Sequence, residues 1–588
     1  MKVDERHNHG NSPQDLYYPQ VDTDFAYYAL LTLGCFAALL FIWRAAFGLS
    51  CYLRQVACLT NDRQQYFMPA LKWLAAARMH FLYAPLFRTR HHREFRLSRA
   101  VNMGTLPSRF QSCVVLGTLA MNVALSTVNV PYHTDQAAAV IRRRTGTMAI
   151  MNLIPVVFMA GRNNPLICLL HISYDTFNLL HRWLARIVVL ESLAHVFAWC
   201  IPKARHGGWD AFRLAFRDSS FIQTGLIAAS AFVFLLVHSP SPIRHAFYET
   251  FLHLHIAIVA VSFTFLWIHV EGHTAQQFLL AAIVLWAIER AARIATILHR
   301  NGSCVPTTAV IEHLPDDLLR VALHLPRPWP VRPGQHLYLY IPSISLWTSH
   351  PFSVCWSDKT RDTEKENNDK PQPKAIYLLI RRRTGFTETL ARRVRRSVNQ
   401  TLSVHALVEG PYGGIHSLDS YGTVVLIAGG VGITHQLLYL RSLVRGQVDG
   451  TVAARRITLV WVVRSLGDVE CVEDWISSIL KIGKAKEEEE STSRSRTSAR
   501  GLRTLIYVTG VCDTDEIRHT GLDSQSEKQV FSGRPSFEKV LAWEVENQVG
   551  AMGVLCCGNG GFSDDVRRVC REAQSGSRVD FFEESFTW

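Results

Sequence analysis

The alternation of apolar and polar positions divides the chain into two unlike halves. Before residue 300 it carries long apolar runs: Phe25 to Leu49, Phe110 to Val130, Thr147 to Met159, Phe177 to Ile201, Ser220 to His238, Tyr248 to Val270 and Ala275 to Leu298. A hydrocarbon core about 30 Å thick is crossed by roughly 20 apolar residues rising 1.5 Å each. The runs therefore predict a bundle of about seven spanning α-helices, the third of them short and interrupted by Pro155. From Asn301 to about Tyr421 the texture changes to short β-like runs broken by Pro and Gly, which predicts a soluble β-barrel. Beyond it VVLIAGGVGIT, RRITLVWVVR, LRTLIYVTG and GVLCCGNGG each read as a buried strand ending in a turn, with helical stretches between, the pattern of a parallel α/β domain. Two charged inserts, Ser357 to Lys374 and Lys484 to Arg500, lack apolar periodicity and are expected to be flexible loops.

Four histidines interrupt the apolar helices at a repeated interval. His181 and His195 are fourteen residues apart, and so are His255 and His269. Fourteen residues make just under four helical turns, so each pair shares one face with roughly 21 Å between its members. Ionisable side chains inside spanning helices are costly and face a bundle interior or a functional path. Imidazole is the commonest haem-iron ligand, and two helices each giving one histidine at two depths would hold two stacked haems. His253 points about 160° away from His269, and His171 and His245 fall off the ligand face and too far along the helix, at the membrane interface. With no Cys-x-x-Cys-His, any haem would be held by ligation alone.

Charge settles orientation more than partners. The net charge of +13 suggests nucleic acid, yet much of it lies in Arg54 to Arg109, directly after the first span, where a cytosolic loop is expected to be basic. No nucleic-acid partner is expected. Seven spans with that loop inside put the N-terminus outside and everything after Leu298 in the cytosol. Arg142, Arg143 and Arg144 then fall in an outer loop, against the rule. On this count the fourth and sixth helices run in the same direction, so His181 faces His255 toward the cytosol and His195 faces His269 toward the exterior. Met1 to Asp24 is polar without an apolar core, so Phe25 to Leu49 is an uncleaved span. The thirteen cysteines show neither zinc spacing nor a disulfide framework.

The soluble half supplies a series of turns suited to anions. HPFS, His350 to Ser353, follows the strand QHLYLYI; Arg381 follows YLLI; GFT, Gly385 to Thr387, precedes a helix expected near Glu388. A glycine before a helix N-terminus makes a site suited to a pyrophosphate. IAGGVGIT, Ile427 to Thr434, is a strand, a glycine-rich turn and a helix start that lets backbone amides approach a dinucleotide phosphate, although it is not GxGxxG. The strand ITLVWVV ends at Arg464, a guanidinium able to hold the 2′-phosphate of NADPH. CCGNGG, Cys556 to Gly561, would lay Cys557 beside the nicotinamide, and the terminal Phe586, Thr587 and Trp588 offer an indole to stack on a flavin.

The ordered set of HRWLAR, the paired histidines, HPFS, GPYGG (Gly410 to Gly414), IAGGVGIT, CCGNGG and EESFTW resembles the fungal ferric/cupric reductases of the ferric reductase and NADPH oxidase superfamily. The resemblance runs from Phe25 to Trp588. It implies a polar extracytoplasmic N-terminus (1–24), a transmembrane haem domain (25–300), an FAD-binding barrel of ferredoxin-reductase type (301–421) and an NADPH-binding α/β domain (422–588). Carried over by motif, the ligands of two b-type haems are His181, His195, His255 and His269. The flavin residues are His350, Pro351, Phe352, Ser353, Arg381, Gly385 and Thr387, with Ser353 on the flavin's reactive nitrogen. The nucleotide residues are Gly429, Gly430, Gly432, Thr434, Arg464 and Cys557, with Cys557 and Trp588 at the point of hydride transfer. The chain departs from the family pattern at Ala185, His435 and Asn559, where glycine, proline and proline are usual; His435 should weaken the helix start that holds the nucleotide.

The implied activity is electron transfer from cytosolic NADPH through FAD and two haems to ferric or cupric chelates outside, in the plasma or the vacuolar membrane, with or without a permease or oxidase partner. Arg182 and Arg186 follow the inner ligand and either neutralise haem propionates or mark the cytosolic boundary; Lys203, Arg205 and His206, in an outer loop, would attract anionic chelates. An NADPH oxidase that reduces dioxygen would have the same chain. A non-catalytic haem-binding receptor or structural protein is opposed by the intact HPFS, IAGGVGIT and CCGNGG; a metal transporter conducting along its histidines would lack the sharp reduced bands of a bis-histidine haem.

Overall fold

The computed structural model describes residues 13–60, 64–87, 105–345, 348–359, 373–491, 501–510 and 528–584. Its first part is built on α1 (Pro13–Cys58), α2 (Arg109–Thr127), α3 (Ala137–Ala160), α4 (Tyr174–Asp218), α5 (Ser220–His238), α6 (Tyr248–His269) and α7 (Ala275–Asn301). Five of these, α1, α2, α4, α5 and α6, are long and apolar enough to cross a membrane. The other two carry charge within their length: Arg142 to Arg144 in α3, and Glu289, Arg290 and Arg293 in α7.

Helix α3 is the packing centre. It lies along α4, α7 and α1, and Met148 to Leu153 are buried on it almost without a break. A helix buried on most of its circumference needs no polar face, so its sequence shows little amphipathic stripe. The arginines expected in an outer loop are instead helical. Arg143 and Arg144 bond Asp22 of α1 at 2.8 and 2.9 Å, and Arg144 lies over the Phe25 ring. A carboxylate on a neighbouring helix offsets their burial, which a count of loop charges does not foresee. Lys203, Arg205 and His206 are likewise not in a loop, because α4 continues past Ile201 to Asp218 with a kink at Gly208 (φ 65°).

Helix α1 outruns its apolar stretch and reaches the soluble half. Arg54 donates to the Ser420 carbonyl at 2.8 Å and to its hydroxyl at 2.7 Å, and stacks over Tyr421 at 4.2 Å. Gln64 donates to the Ala453 carbonyl at 2.7 Å, Arg455 donates to the Cys58 and Leu59 carbonyls, and buried Arg78 pairs with buried Asp580. Arg54 and Arg78 thus join the membrane part of the chain to its soluble part.

In the soluble half, β1 (Thr308–Leu314), β2 (Leu318–His324), β3 (Gln335–Tyr340), β4 (His350–Ser353), β5 (Trp356–Lys359), β6 (Pro373–Arg381), β7 (Thr401–His405) and β8 (Leu407–Gly413) form two antiparallel sheets, ordered β5-β6-β2-β1-β7 and β4-β3-β8. Alternate residues of both turn into one core with α8 (Phe386–Arg395). That helix begins two residues before the expected Glu388. The last part is a sheet in the order β12-β11-β10-β9-β13-β14, every pair parallel. Its strands are β9 (Thr423–Gly429), β10 (Arg456–Val463), β11 (Gly501–Val508), β12 (Lys528–Ser532), β13 (Met552–Cys557) and β14 (Val579–Glu584), with α9 (Ile433–Asp449), α10 (Glu473–Ser491), α11 (Phe537–Glu546) and α12 (Gly560–Glu572) between them. The second insert is helical as far as Ser491 and lies outside the described residues beyond it; the first lies outside them from 360 to 372. All twelve described cysteines are free.

Asp580 accepts from the Tyr421 hydroxyl at 2.7 Å as well as from Arg78. Removing its charge leaves a buried guanidinium uncompensated, a loss of about 3 kcal/mol. Asp580→Asn should therefore lower the apparent melting temperature of the solubilised protein by several degrees, and an unchanged melt would show the pair to be idle.

Candidate functional site

Four imidazoles meet two by two. Helix α4 packs along α3 and α6 along α5, so the two histidine-bearing helices stand apart and only their side chains span the gap. The His181 and His255 ring centres are 6.4 Å apart, and those of His195 and His269 are 6.2 Å apart. Two imidazoles sharing one metal need about 2 Å from each nitrogen to the metal and about 1 Å more to each ring centre, roughly 6 Å in all. Both pairs fit that spacing. The described residues hold no group of three or more His, Cys, Asp or Glu able to cage a bare metal ion. The donor set is one of facing pairs.

The surrounding backbone fixes which nitrogen faces inward. His181 Nδ1 lies 2.9 Å from the Val156 carbonyl, His195 Nδ1 2.7 Å from that of Arg142 and His269 Nδ1 2.9 Å from that of Phe221. A ring that donates Nδ1–H to a carbonyl keeps Nε2 free as a ligand. His255 Nδ1 is buried with no such partner, its ring against Phe251. Space for the outer rings comes from two glycines: a Cβ on Gly146 would lie 2.7 Å from His195 Nδ1, and one on Gly225 2.6 Å from His269 Cε1. Neither was picked out from sequence. The available signal was a glycine in mid-helix, which costs about 1 kcal/mol against alanine and so marks a close approach. At the inner end Arg182, Arg186 and Arg244 sit close enough for their charges to act on one another, with Asp175 the carboxylate near Arg182. Three crowded cations suit an anionic group; Arg244 was not foreseen. His238, stacked on Phe251 beside the inner pair, was also missed.

Strand β4 carries HPFS to the same inner end. His350 Nε2 lies 3.6 Å from Glu249, in the first turn of α6, and its ring stacks on Phe386 at 4.3 Å. Burial, aided by the Arg162 charge, lowers its pKa to about 4. Pro351 and Phe352 are half-buried, and Ser353 is buried opposite His336. Arg381, at the end of β6, bonds Asp468 at 3.2 Å and borders Gly430, so it joins the flavin motif to the nucleotide turn. Gly385 (φ 87°) opens α8, leaving its first amides free for an anion, while the Thr387 hydroxyl is engaged with the Arg383 backbone.

The nucleotide turn lies where the parallel sheet changes direction: β10, β11 and β12 extend on one side of β9 and β13, β14 on the other, the crevice in which such sheets bind ligands. Gly429 packs on Phe562 and Gly430 has φ 54°; a Cβ on Gly432 would strike the Cys557 carbonyl at 2.2 Å. The Thr434 hydroxyl donates to the Val431 carbonyl. His435 does not disturb the helix start: α9 begins at Ile433 and His435 is buried against Tyr439. Asn559 caps α12 by accepting from the Phe562 amide at 3.0 Å, so the residue standing for a proline has a local task. Arg464 is exposed at the end of β10. Burial raises the Cys557 thiol well above its ordinary range and keeps it protonated. Phe586, Thr587 and Trp588 lie outside the described residues; β14 ends with Glu584 opposite Cys557.

Burial lowers the pKa of His336 to about 4 and those of His416 and His435 to about 3. Unfolded, they titrate near 6.5. Between that pH and about 4 the unfolded chain takes up protons that the folded chain refuses, so stability is full above 6.5 and declines as pH falls through the window. Thermal melts at pH 7.5 and 5 should show the decline, smaller in His336→Gln; a flat profile contradicts it. Gly146→Val should expel the His195 ring and leave the His181–His255 pair intact, so the solubilised protein should melt lower than wild type, and an unchanged melt would show that the ring has room to spare.

Residues 145–267 match the ferric reductase like transmembrane component family, 305–416 an FAD-binding domain family and 421–571 the ferric reductase NAD binding domain family. Ferric/cupric reductase transmembrane component 2 of Saccharomyces cerevisiae is 25% identical over 537 residues, covering 86% of this chain and 71% of its own. Ferric reductase transmembrane component 3 of the same yeast is 26% identical over 507 residues, covering 82% and 68%. Ferric/cupric reductase transmembrane component 1 of Candida albicans is 23% identical over 584 residues, covering 95% and 73%. A multi-pass helical domain followed by FAD-binding and NAD-binding domains, with the family matches in that order, makes the chain similar over most of its length to fungal ferric and ferric/cupric reductase transmembrane components.

Proposed function

We propose that the chain moves electrons from NADPH, through FAD and two b-type haems, across a membrane to ferric or cupric chelates. The observation that carries the reading is the pair of facing imidazoles at two depths, each spaced for one metal. All seven long helices cross the bilayer in this reading, α3 and α7 shielded by their neighbours, with the soluble domains (301–421 and 422–588) in the cytosol and the plasma membrane as the site. When bound, the nicotinamide, flavin and haem iron supply the hydride and single-electron chemistry, and the protein supplies binding, orientation and electrostatics.

The chain's own part follows from its residues. Arg464 takes the 2′-phosphate, the amides of Gly430 and Gly432 the dinucleotide phosphates, and Cys557 presents a neutral thiol beside the nicotinamide, with Trp588 as the stacking ring. Gly385 and the first amides of α8 take the flavin pyrophosphate with Arg381 and Thr387, while Ser353 reaches the flavin's reactive nitrogen. His181 and His255 hold the inner haem and Arg182, Arg186 and Arg244 its propionates; His195 and His269 hold the outer one. Lys203, Arg205 and His206, exposed beyond His195, draw anionic chelates toward the exit.

Intact cells expressing the protein should reduce an impermeant ferric chelate at the expense of NADPH, and should do so equally without oxygen. His195→Ala should abolish that reduction and spare NADPH-driven reduction of soluble dyes by the flavin half. A variant as active as wild type on the chelate would sink the reading. Arg464→Ala should weaken NADPH by about 10-fold or more and leave NADH nearly unaffected, measured as kcat/KM for each.

A further inference from the structure

We propose that Glu409 is the positioning residue that holds the flavin-binding barrel in register with the inner histidine pair, and so sets the rate at which electrons leave the flavin site for the membrane; this rests on the function proposed above. Glu409 is fully buried in β8, yet both carboxylate oxygens are saturated by donors from separate parts of the fold. Oε1 accepts from Arg293 Nε at 2.9 Å and the Tyr412 hydroxyl at 2.8 Å. Oε2 accepts from Arg293 at 3.1 Å, Arg162 at 3.1 Å and the Tyr340 hydroxyl at 2.8 Å. Arg293 belongs to α7 and Arg162 to the turn after α3; the tyrosines belong to the barrel. One carboxylate therefore ties two membrane elements to one sheet.

The tie lies on the line between the two sites. In the three-stranded sheet Tyr338 pairs with Glu409 on one side and with Pro351 of HPFS on the other, so the flavin motif is two strands, about 10 Å, from the tie. Arg162 also stacks over the Tyr338 ring at 3.5 Å and donates to Ser349 at 3.4 Å, directly before HPFS. In the other direction Arg162 follows α3, whose Val156 carbonyl orients His181. Its backbone amide bonds Glu289 of α7 at 3.3 Å, which steadies the turn independently of Glu409. A buried charge pair contributes little net stability against an apolar replacement, whereas one whose partners come from two domains fixes their relative placement. Electron transfer falls off steeply with the separation and orientation of donor and acceptor, so a small shift of the barrel against the histidine pair slows that step severalfold and leaves hydride transfer alone.

The test uses the full chain, solubilised and loaded with FAD and haem, mixed rapidly with NADPH while flavin bleaching and the reduced-haem band are followed separately. Glu409→Gln, with wild-type FAD and haem content, should reduce flavin at the wild-type rate and haem severalfold more slowly. Arg293→Gln, on the membrane side of the tie, should show the same split, and Tyr340→Phe a weaker one. Haem reduction keeping pace with wild type in both charge variants overturns the proposal, as does a flavin step slowed in parallel with the haem step. Should Glu409→Gln lose its cofactors, the Arg293 and Tyr340 variants decide by the same criterion. Wild-type protein that never passes electrons from NADPH to haem would refute the proposed function instead, before any variant is compared.

Discussion

An imidazole inside a bilayer has to be given something to bind, and this constraint orders the membrane half. Three of the four histidines, His181, His195 and His269, meet backbone carbonyls, and glycines leave room for the rings of His195 and His269. Carbonyl acceptors suit this setting because they orient a ring without adding an ion that the lipid would penalise. The cost is carried by α3, which supplies two of the three carbonyl contacts or the glycine beside them and is itself enclosed by its neighbours. Its charged end is tolerated because Asp22 reaches it from α1.

The two halves of the chain are joined by buried arginines. Arg54 and Arg455 donate to backbone carbonyls, Arg78 meets Asp580, and Arg162 and Arg293 converge on Glu409. Arginine suits such junctions because its planar fork satisfies several acceptors at once and stays charged when desolvated. The result is a path of fixed geometry from the glycine turn at the sheet's switch point, through Asp468 and Arg381 to the antiparallel sheets, and from HPFS to the first turn of α6. Each step is a contact between elements far apart in sequence. The direction of electron flow proposed for the chain follows the order in which these contacts occur.

The two charge clusters of the interior serve different ends. In the Glu409 group one carboxylate takes five donors, from two arginines and two tyrosines, and every partner is a residue of the chain. The Arg182, Arg186 and Arg244 group has an excess of positive charge that Asp175 offsets only in part.

Much of this was legible in the residue order. Apolar length located the helices, the fourteen-residue interval found both histidine pairs, and strand-turn-helix texture marked the nucleotide turn, because each depends on local periodicity or on a short motif. Where the sequence misled, a distant neighbour was responsible. Arg142 to Arg144 looked like an outer loop, yet they lie in α3, where Arg143 and Arg144 meet Asp22, and nothing in the basic stretch after the first span announced that Arg54 and Arg78 would meet Ser420 and Asp580. Gly146, Gly225, Arg244 and Glu409 acquire meaning only through what stands opposite them. Periodicity reports which face of an element is turned inward, and it carries no information on which residue of another element will be there to meet it; only the packed structure decides that.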